Sequence, residues 1–248
     1  MKPFDFRCVR YLALTAGLFL MTSLTSLFTP TAYSETYIGG QFGMALPSMG
    51  GGLKKIETTS QFLAGTTHSD LSLASSAMVG GKIGHYFTGA RWFGLEAEFF
   101  ATSPHIDQQV HTFANPAVSC TPSCSGTLQG AHFRVATLAP LNVMFRYPNA
   151  RLQPYIGFGP GLFFARISGE STGTPGSTAS TSNNGVLGFN GKVGAEYYFT
   201  KHVTAFLEGK YNVARFNFKE NSDLYPFPYG FKTTYSMFLM SFGLAIHF

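Results

Sequence analysis

The feature that most constrains this chain is a two-residue alternation of large apolar side chains with small or polar ones, which recurs in eight segments. Successive side chains of a β-strand point to opposite faces, so each segment is predicted to be a strand with two different faces. The last segment, "YSMFLMSFGLAIHF", shows the pattern best. The residues that share its apolar face are Phe238, Met240, Phe242, Leu244, Ile246 and Phe248.

The connections between the eight predicted strands alternate strictly between long and short. The strands cover residues 36–46, 75–87, 91–102, 131–147, 152–167, 186–199, 203–218 and 235–248. The long connections are 47–74, 103–130, 168–185 and 219–234, and the short turns lie at 88–90, 148–151 and 200–202. This alternation is typical of barrels in bacterial outer membranes. It predicts an all-β fold, an eight-stranded antiparallel up-and-down transmembrane β-barrel with four long extracellular loops and three short periplasmic turns.

Nine charged residues fall on the polar faces of these strands. In a soluble lipocalin-type barrel the apolar faces would point inward and these charges would meet water. We favour the opposite arrangement because aromatic residues cluster near the strand ends, as in the girdles of membrane barrels. A charge facing the bilayer midplane costs about 2 to 4 kcal/mol, so all nine are predicted to point into the lumen and to pair there. The predicted lumen ion network is Lys82, Glu96, Glu98, Arg134, Arg146, Lys192, Glu196, Glu208 and Lys210.

Eight strands enclose a space that side chains alone can fill, so we expect a plugged lumen and no general diffusion channel. Pro140 interrupts the fourth predicted strand, and we expect a β-bulge there because proline lacks the N–H group that the ladder needs. The segment 152–167 is ambiguous. Its glycines suit the inward face, which leaves the bulky Tyr155 and Phe163 beside them.

The N-terminus has the composition of a secretory signal peptide. Three basic residues precede an apolar stretch, and small residues lead to a predicted cleavage after Ser34. The apolar stretch is far short of the roughly 20 residues that a membrane-spanning helix needs. We therefore predict a signal peptide at 1–34 and a barrel domain at 35–248. Removing the signal leaves 14 basic and 11 acidic residues, a net charge of +3 that is too small to indicate a nucleic-acid partner.

Two cysteines remain in the predicted mature chain, Cys120 and Cys124, within the polar segment "CTPSC". Export to an oxidising compartment favours a disulfide between them. Zinc binding is the alternative, but a single pair of cysteines spaced four apart is a weak zinc signal.

The segments "RLQPYIGFGPGLFF", "VGAEYYF" and "FGLAIHF" together resemble the small outer-membrane β-barrel proteins related to the OmpA transmembrane domain, OmpX and the opacity-type surface proteins. The resemblance implies a location in the bacterial outer membrane, extracellular loops, periplasmic mature termini and contact with outer-membrane lipid and lipopolysaccharide. It also implies that the barrel-assembly machinery recognises the last strand through Phe242 and Phe248. Because nothing follows that strand, we expect no peptidoglycan-binding domain.

The function predicted from these observations is that of a structural or adhesive surface protein. Long loops on a rigid scaffold are where such proteins bind host or neighbouring-cell molecules. The candidate contact residues come from the aromatic segment "DLYPFPYGF" and are Tyr225, Phe227, Tyr229 and Phe231. We expect no catalytic residue, cofactor or metal.

Two other functions stay open. A lipid A or phospholipid-modifying enzyme would draw on His105, Asp107 and His111 with Ser103 nearby, or on His68 with Asp70. None of these residues stands in a sequence pattern recognised from such hydrolases or acyltransferases. A narrow transporter of small hydrophobic compounds is disfavoured by a charged lumen.

Overall fold

The computed structural model describes residues 35–58, 66–115, 120–128, 131–148, 151–169, 181–219 and 230–248. Eight long strands form a closed antiparallel ring, which confirms the predicted fold. They are β1 (Glu35–Ala45), β4 (Ser76–Phe87), β5 (Ala90–Thr102), β9 (Ala131–Arg146), β10 (Leu152–Gly169), β11 (Thr181–Tyr198), β12 (Val203–Phe218) and β13 (Phe231–His247). Five shorter strands complete the sheet: β2 (Gly52–Thr58), β3 (Thr67–His68), β6 (His105–Ile106), β7 (Gln109–Asn115) and β8 (Cys120–Leu128). The predicted signal peptide, 1–34, lies outside the described residues.

The ring closes where the first strand meets the last. β1 and β13 pair in unbroken register from Tyr37 opposite His247 to Ala45 opposite Leu239. The seam continues past the strand end, because Thr36 N–H donates to the Phe248 carbonyl at 3.1 Å and Phe248 N–H donates back at 2.9 Å. Closure removes the unpaired edges that an open sheet would present.

Large apolar side chains cover the outer face of the ring. On β13 the exposed fraction is 43% for Phe242 and 57% for Ile246, whereas the residues that precede each of them, Ser241 and Ala245, are each 1% exposed. An apolar band that surrounds a whole molecule is far larger than the patches found on soluble monomers, and it suits a lipid environment. No helix in the described ranges is long and apolar enough to cross a membrane.

We call the end of the barrel that carries the connections 46–75, 103–130, 170–180 and 219–230 the loop rim, and the opposite end the turn rim. At the loop rim β13 extends past the end of β1. The chain turns through a short 3-10 helix, Pro47–Met49, and Gly50, whose φ of +89° favours glycine. β2 then takes the vacated side of β13, and β3, β7 and β8 follow in order. The first two long connections are therefore partly β-sheet, where the sequence predicted only loops.

A bulge at Pro140 occurs as predicted, and it has a consequence that the sequence analysis missed. The register slips between Glu96 and Glu98 in the β5–β9 pair and between Phe158 and Leu162 in the β9–β10 pair. Pro140 and Leu141 both face outward, so the alternation of β9 changes phase. A slip of one residue exchanges the two faces of a strand.

The prediction that Arg134 lies in the lumen is wrong for this reason. Beyond the bulge, Phe133 and Val135 point inward and are buried, and Arg134 between them points outward and is exposed. Arg146, on the other side of the bulge, points inward.

The tight seam predicts a large effect of alanine substitution at one of its glycines and almost none at another. A Cβ added at Gly243 would overlap the Phe206 ring and the Gly40 carbonyl oxygen, whereas a Cβ at Gly40 meets no heavy atom within 4 Å. We expect Gly243→Ala to lower the free energy of unfolding by about 1 to 3 kcal/mol, as overpacking does. Gly40→Ala should change it by less than about 0.5 kcal/mol. Urea unfolding in detergent micelles measures both, and equal midpoints would contradict the packing described.

Candidate functional site in the barrel interior

Six charged side chains meet in the middle of the barrel and their charges sum to zero. They come from four strands, and the two-residue period brings Glu96 and Glu98 of β5 to the same face, as it does Glu208 and Lys210 of β12. The central network, as we name it, consists of Lys82, Lys192, Lys210, Glu96, Glu98 and Glu208. Each of the six side chains is at most 4% exposed.

Each lysine of the central network contacts more than one glutamate. Lys82 Nζ lies 2.7 Å from Glu208 Oε1 and 3.7 Å from Glu96 Oε2. Lys210 Nζ lies 2.9 Å from Glu208 Oε2 and also contacts Glu98. Lys192 bridges Glu96 and Glu98. Such sharing offsets the desolvation that makes an isolated buried charge so costly.

Neutral side chains supply the remaining hydrogen bonds of the network. Tyr37 donates to Glu96 at 2.6 Å, and Tyr155 donates to Glu208 at 2.6 Å. Gln41 donates to Glu98 at 2.7 Å and accepts from Lys210 at 2.7 Å. The sequence analysis did not identify these three residues, although the misfit of Tyr155 among glycines was a usable signal. A bulky polar ring on the inward face can extend across the space that the glycines leave.

A second polar cluster closes the turn rim. Arg146 pairs with Glu35, and Tyr198 donates to the same carboxylate. His247 lies 2.7 Å from Glu35 and 3.0 Å from Glu196. Thr204 completes the cluster by donating to Glu196 at 2.6 Å. Of the predicted lumen charges, Arg146 and Glu196 therefore lie in this cluster and not in the central network.

The loop-rim half of the interior is apolar, which the sequence analysis did not foresee. Phe133 and Phe163 of the barrel wall and Leu53 and Ile106 of the long connections are all fully buried. Tyr235 packs among them, with its ring centroid 5.9 Å from that of Phe133. The predicted charged lumen is therefore found in the middle and at the turn rim of the barrel, and not in this half. Apolar residues from the described parts of the first two long connections pack inside this end of the barrel.

The predicted loop contact residue Phe231 belongs to this apolar filling. It is 3% exposed, and its ring lies 5.1 Å from that of Phe218. The prediction that Phe231 is available for binding is therefore wrong, because β13 begins at Phe231 and turns its side chain inward. Tyr225, Phe227 and Tyr229 lie outside the described residues.

Both cysteines lie in the single strand β8. The register of β7 with β8 slips between Phe113 and Asn115, the partners of Cys124 and Cys120. The side chains of the two cysteines are outside the described part of the structure, so the disulfide stays a prediction.

The histidines of the long connections are placed as follows. The ring of His105 packs against that of His132 at 4.9 Å. His68 Nε2 lies 2.9 Å from the Thr58 hydroxyl, and Asp70 accepts a hydrogen bond from the Lys55 backbone at 3.1 Å. Within the parts of the chain described above, no three His, Cys, Asp or Glu side chains converge as they would around a metal ion.

The charge balance of the central network predicts a large cost for removing one lysine. Lys210→Met leaves three buried glutamates with two lysines, and we expect a loss of about 3 to 5 kcal/mol in unfolding free energy. The surface variant Lys201→Met should lose less than about 0.5 kcal/mol. Adding Glu98→Gln to Lys210→Met restores neutrality and should recover part of the loss. Fluorescence of the single tryptophan, Trp92, during urea unfolding measures all three variants. Equal losses for Lys210→Met and Lys201→Met would contradict the network.

Comparisons with known proteins agree with this architecture. A search of curated proteins found no match. Among solved structures, OprG from Pseudomonas aeruginosa aligns over 88% of this chain and 97% of its own, with 14% identity and a TM-score of 0.55. Neisserial surface protein A aligns over 86% and 97%, with 13% identity and a TM-score of 0.49. The outer membrane protease OmpT from Escherichia coli aligns over 90% and 100%, with 10% identity and a TM-score of 0.49.

The similarity to OprG shows a shared fold. The model of the outer membrane protein beta-barrel domain matches residues 16–237, which is most of the sequence. The chain therefore belongs to the outer-membrane β-barrel protein family and is a bacterial outer-membrane protein.

Proposed function

We propose that this protein is a closed outer-membrane barrel that acts at the cell surface, as a structural element and as a binding surface for host or neighbouring-cell molecules. The observation that carries the proposal is the filled interior. A polar cluster at the turn rim, the central network and an apolar layer at the loop rim follow one another along the axis. A barrel blocked at all three levels cannot serve mainly as a pore, so binding is assigned to its loop rim.

The proposed orientation places the loop rim outside the cell and both termini of residues 35–248 in the periplasm. Membership of the family supports it, because long loops face outward and short turns inward in such barrels. The first two long connections add β-strands to the wall, which gives the loop rim a rigid base. In this orientation the barrel-assembly machinery would recognise β13 through Phe242, which lies within the strand, and Phe248, which directly follows it, both exposed on the outer face.

A filled interior predicts the absence of a stable conductance. In planar lipid bilayers the refolded protein should give no large, long-lived channel steps, because the three packed layers obstruct the path of ions along the barrel axis. Heat-modifiable gel migration of the same sample is the control for folding. Large stable steps from the folded protein would contradict the closed lumen.

Binding by the loop rim is tested best by a deletion that spares the core. Residues 222–229 can be removed without Phe231, whose buried ring belongs to the apolar layer. We expect whole cells carrying this deletion to lose attachment to epithelial monolayers while the barrel keeps its heat-modifiable migration. Phe231→Ala is the matched control and should impair folding instead, at about 3 to 5 kcal/mol. Unchanged attachment by the folded deletion variant would count against a binding role for this connection.

The protein is proposed not to be an enzyme. Among the described residues, His105 packs against His132, His68 contacts the Thr58 hydroxyl, and His247 is buried between Glu35 and Glu196 in the turn-rim cluster. His105 and His68 stand in no recognised catalytic pattern of the sequence. Identical lipid A mass spectra from wild-type and knockout cells are the expected result, and a mass change that returns on complementation would contradict the proposal.

One observation favours a second candidate function, the passage of small apolar compounds. The loop-rim half of the interior is lined by apolar side chains, which is the lining such ligands need. The layer is packed, however, so passage would require Phe163 or Tyr235 to move. Slower uptake of an apolar tracer by knockout cells would select this function over surface binding.

A further inference from the structure

Two arginines stand side by side on the outer surface of the barrel. Arg134 of β9 and Arg166 of β10 are direct partners in the antiparallel register, and both are exposed. Directly opposite residues of neighbouring strands have their Cβ atoms about 5 Å apart. The bulge at Pro140 creates this arrangement, because without it Arg134 would point into the lumen.

This pairing of like charges has no compensating anion within the described residues. Like charges opposite each other destabilise a sheet. No carboxylate in that part of the chain lies within ion-pair distance of either guanidinium, in contrast to every lysine of the central network. One step further towards the loop rim, the outward pair is His132 opposite Ser168, which adds polar groups and no negative charge.

The position of the pair identifies the kind of anion. One step towards the turn rim the outward pair is Ala136 opposite Phe164, followed by Leu138 opposite Leu162. Phe164 is 46% exposed and Leu138 is 36% exposed, so the apolar band begins directly beneath the arginines. At such a boundary a bilayer places its headgroups, and a guanidinium binds phosphate oxygens through two parallel hydrogen bonds.

We propose that Arg134 and Arg166 together bind a phosphate of lipid A, the phosphorylated glycolipid of the outer leaflet, while its acyl chains lie along Phe164 and Leu138. The choice of this leaflet rests on the orientation proposed above. The two guanidiniums face one phosphate group from adjacent strands, and the phosphate neutralises a like-charged pair for which the described residues supply no anion.

The test uses full-length purified protein in detergent and bisphosphorylated lipid A as the probe. The double variant Arg134→Gln/Arg166→Gln should bind it about tenfold more weakly than wild type, a loss of about 1.4 kcal/mol. The matched control is Arg91→Gln/Arg151→Gln, which removes two exposed arginines at the turn rim and should bind within about twofold of wild type. Both variants must show unchanged heat-modifiable migration.

Two further arms identify the source of the phosphate. Dephosphorylated lipid A should bind wild type and the Arg134→Gln/Arg166→Gln variant equally, and inorganic phosphate should not compete with lipid A. Equal affinity of the two double variants for bisphosphorylated lipid A would overturn the proposal. So would full competition by inorganic phosphate, which would show an anion site without a lipid.

Lipid A binding measured in detergent does not depend on the orientation of the barrel in the outer membrane. Protease shaving of whole cells reports the orientation separately, through cleavage of the long connections. If these connections resist the protease while lipid A still binds through the two arginines, the proposed surface function fails and the arginine site stands.

Discussion

The backbone hydrogen bonds of the β1–β13 seam are the constraint on which the rest of this structure depends. A strand edge in a bilayer has no water to satisfy its N–H and C=O groups, and each unsatisfied group is costly. The first and last strands must therefore pair along their whole shared length, as they do from Tyr37 to Ala45. Closure with eight strands makes the interior narrow, because the diameter of a barrel grows with its number of strands.

A narrow interior is filled most favourably by polar groups that bond to one another or by apolar groups that need no partner. Two solutions occur along the same axis. In the middle and at the turn rim, carboxylates are matched with lysines, an arginine and a histidine, and tyrosines and glutamine complete the bonding. At the loop rim the same inward positions carry apolar residues, which need no partners and pack with the strands of the first two long connections. The polar layers demand accurate geometry, and the apolar layer ties the long connections to the wall.

The outer surface follows the same rule, that charged groups need polar partners, but it contacts lipid. Apolar residues cover the band, and charged residues are confined to its edges, where headgroups replace hydrocarbon. Arg134 and Arg166 lie at one such edge because a single extra residue at Pro140 reverses the faces of β9. A local irregularity in one strand thus decides whether an arginine belongs to the interior or to the membrane surface.

The sequence by itself determined the strands, their two faces, the alternation of long and short connections and most of the buried charges. These follow from a two-residue period that each strand carries locally, and from the cost of exposing charge to lipid. The tertiary structure alone decided which charges pair. It placed Glu96 and Glu98 with Lys192, and Glu196 with His247, because partners on distant strands meet only once the ring is closed. It also decided the side on which Arg134 lies and the burial of Phe231. The first depends on where a bulge shifts the register against two neighbouring strands, and the second on how far β13 continues beyond β1.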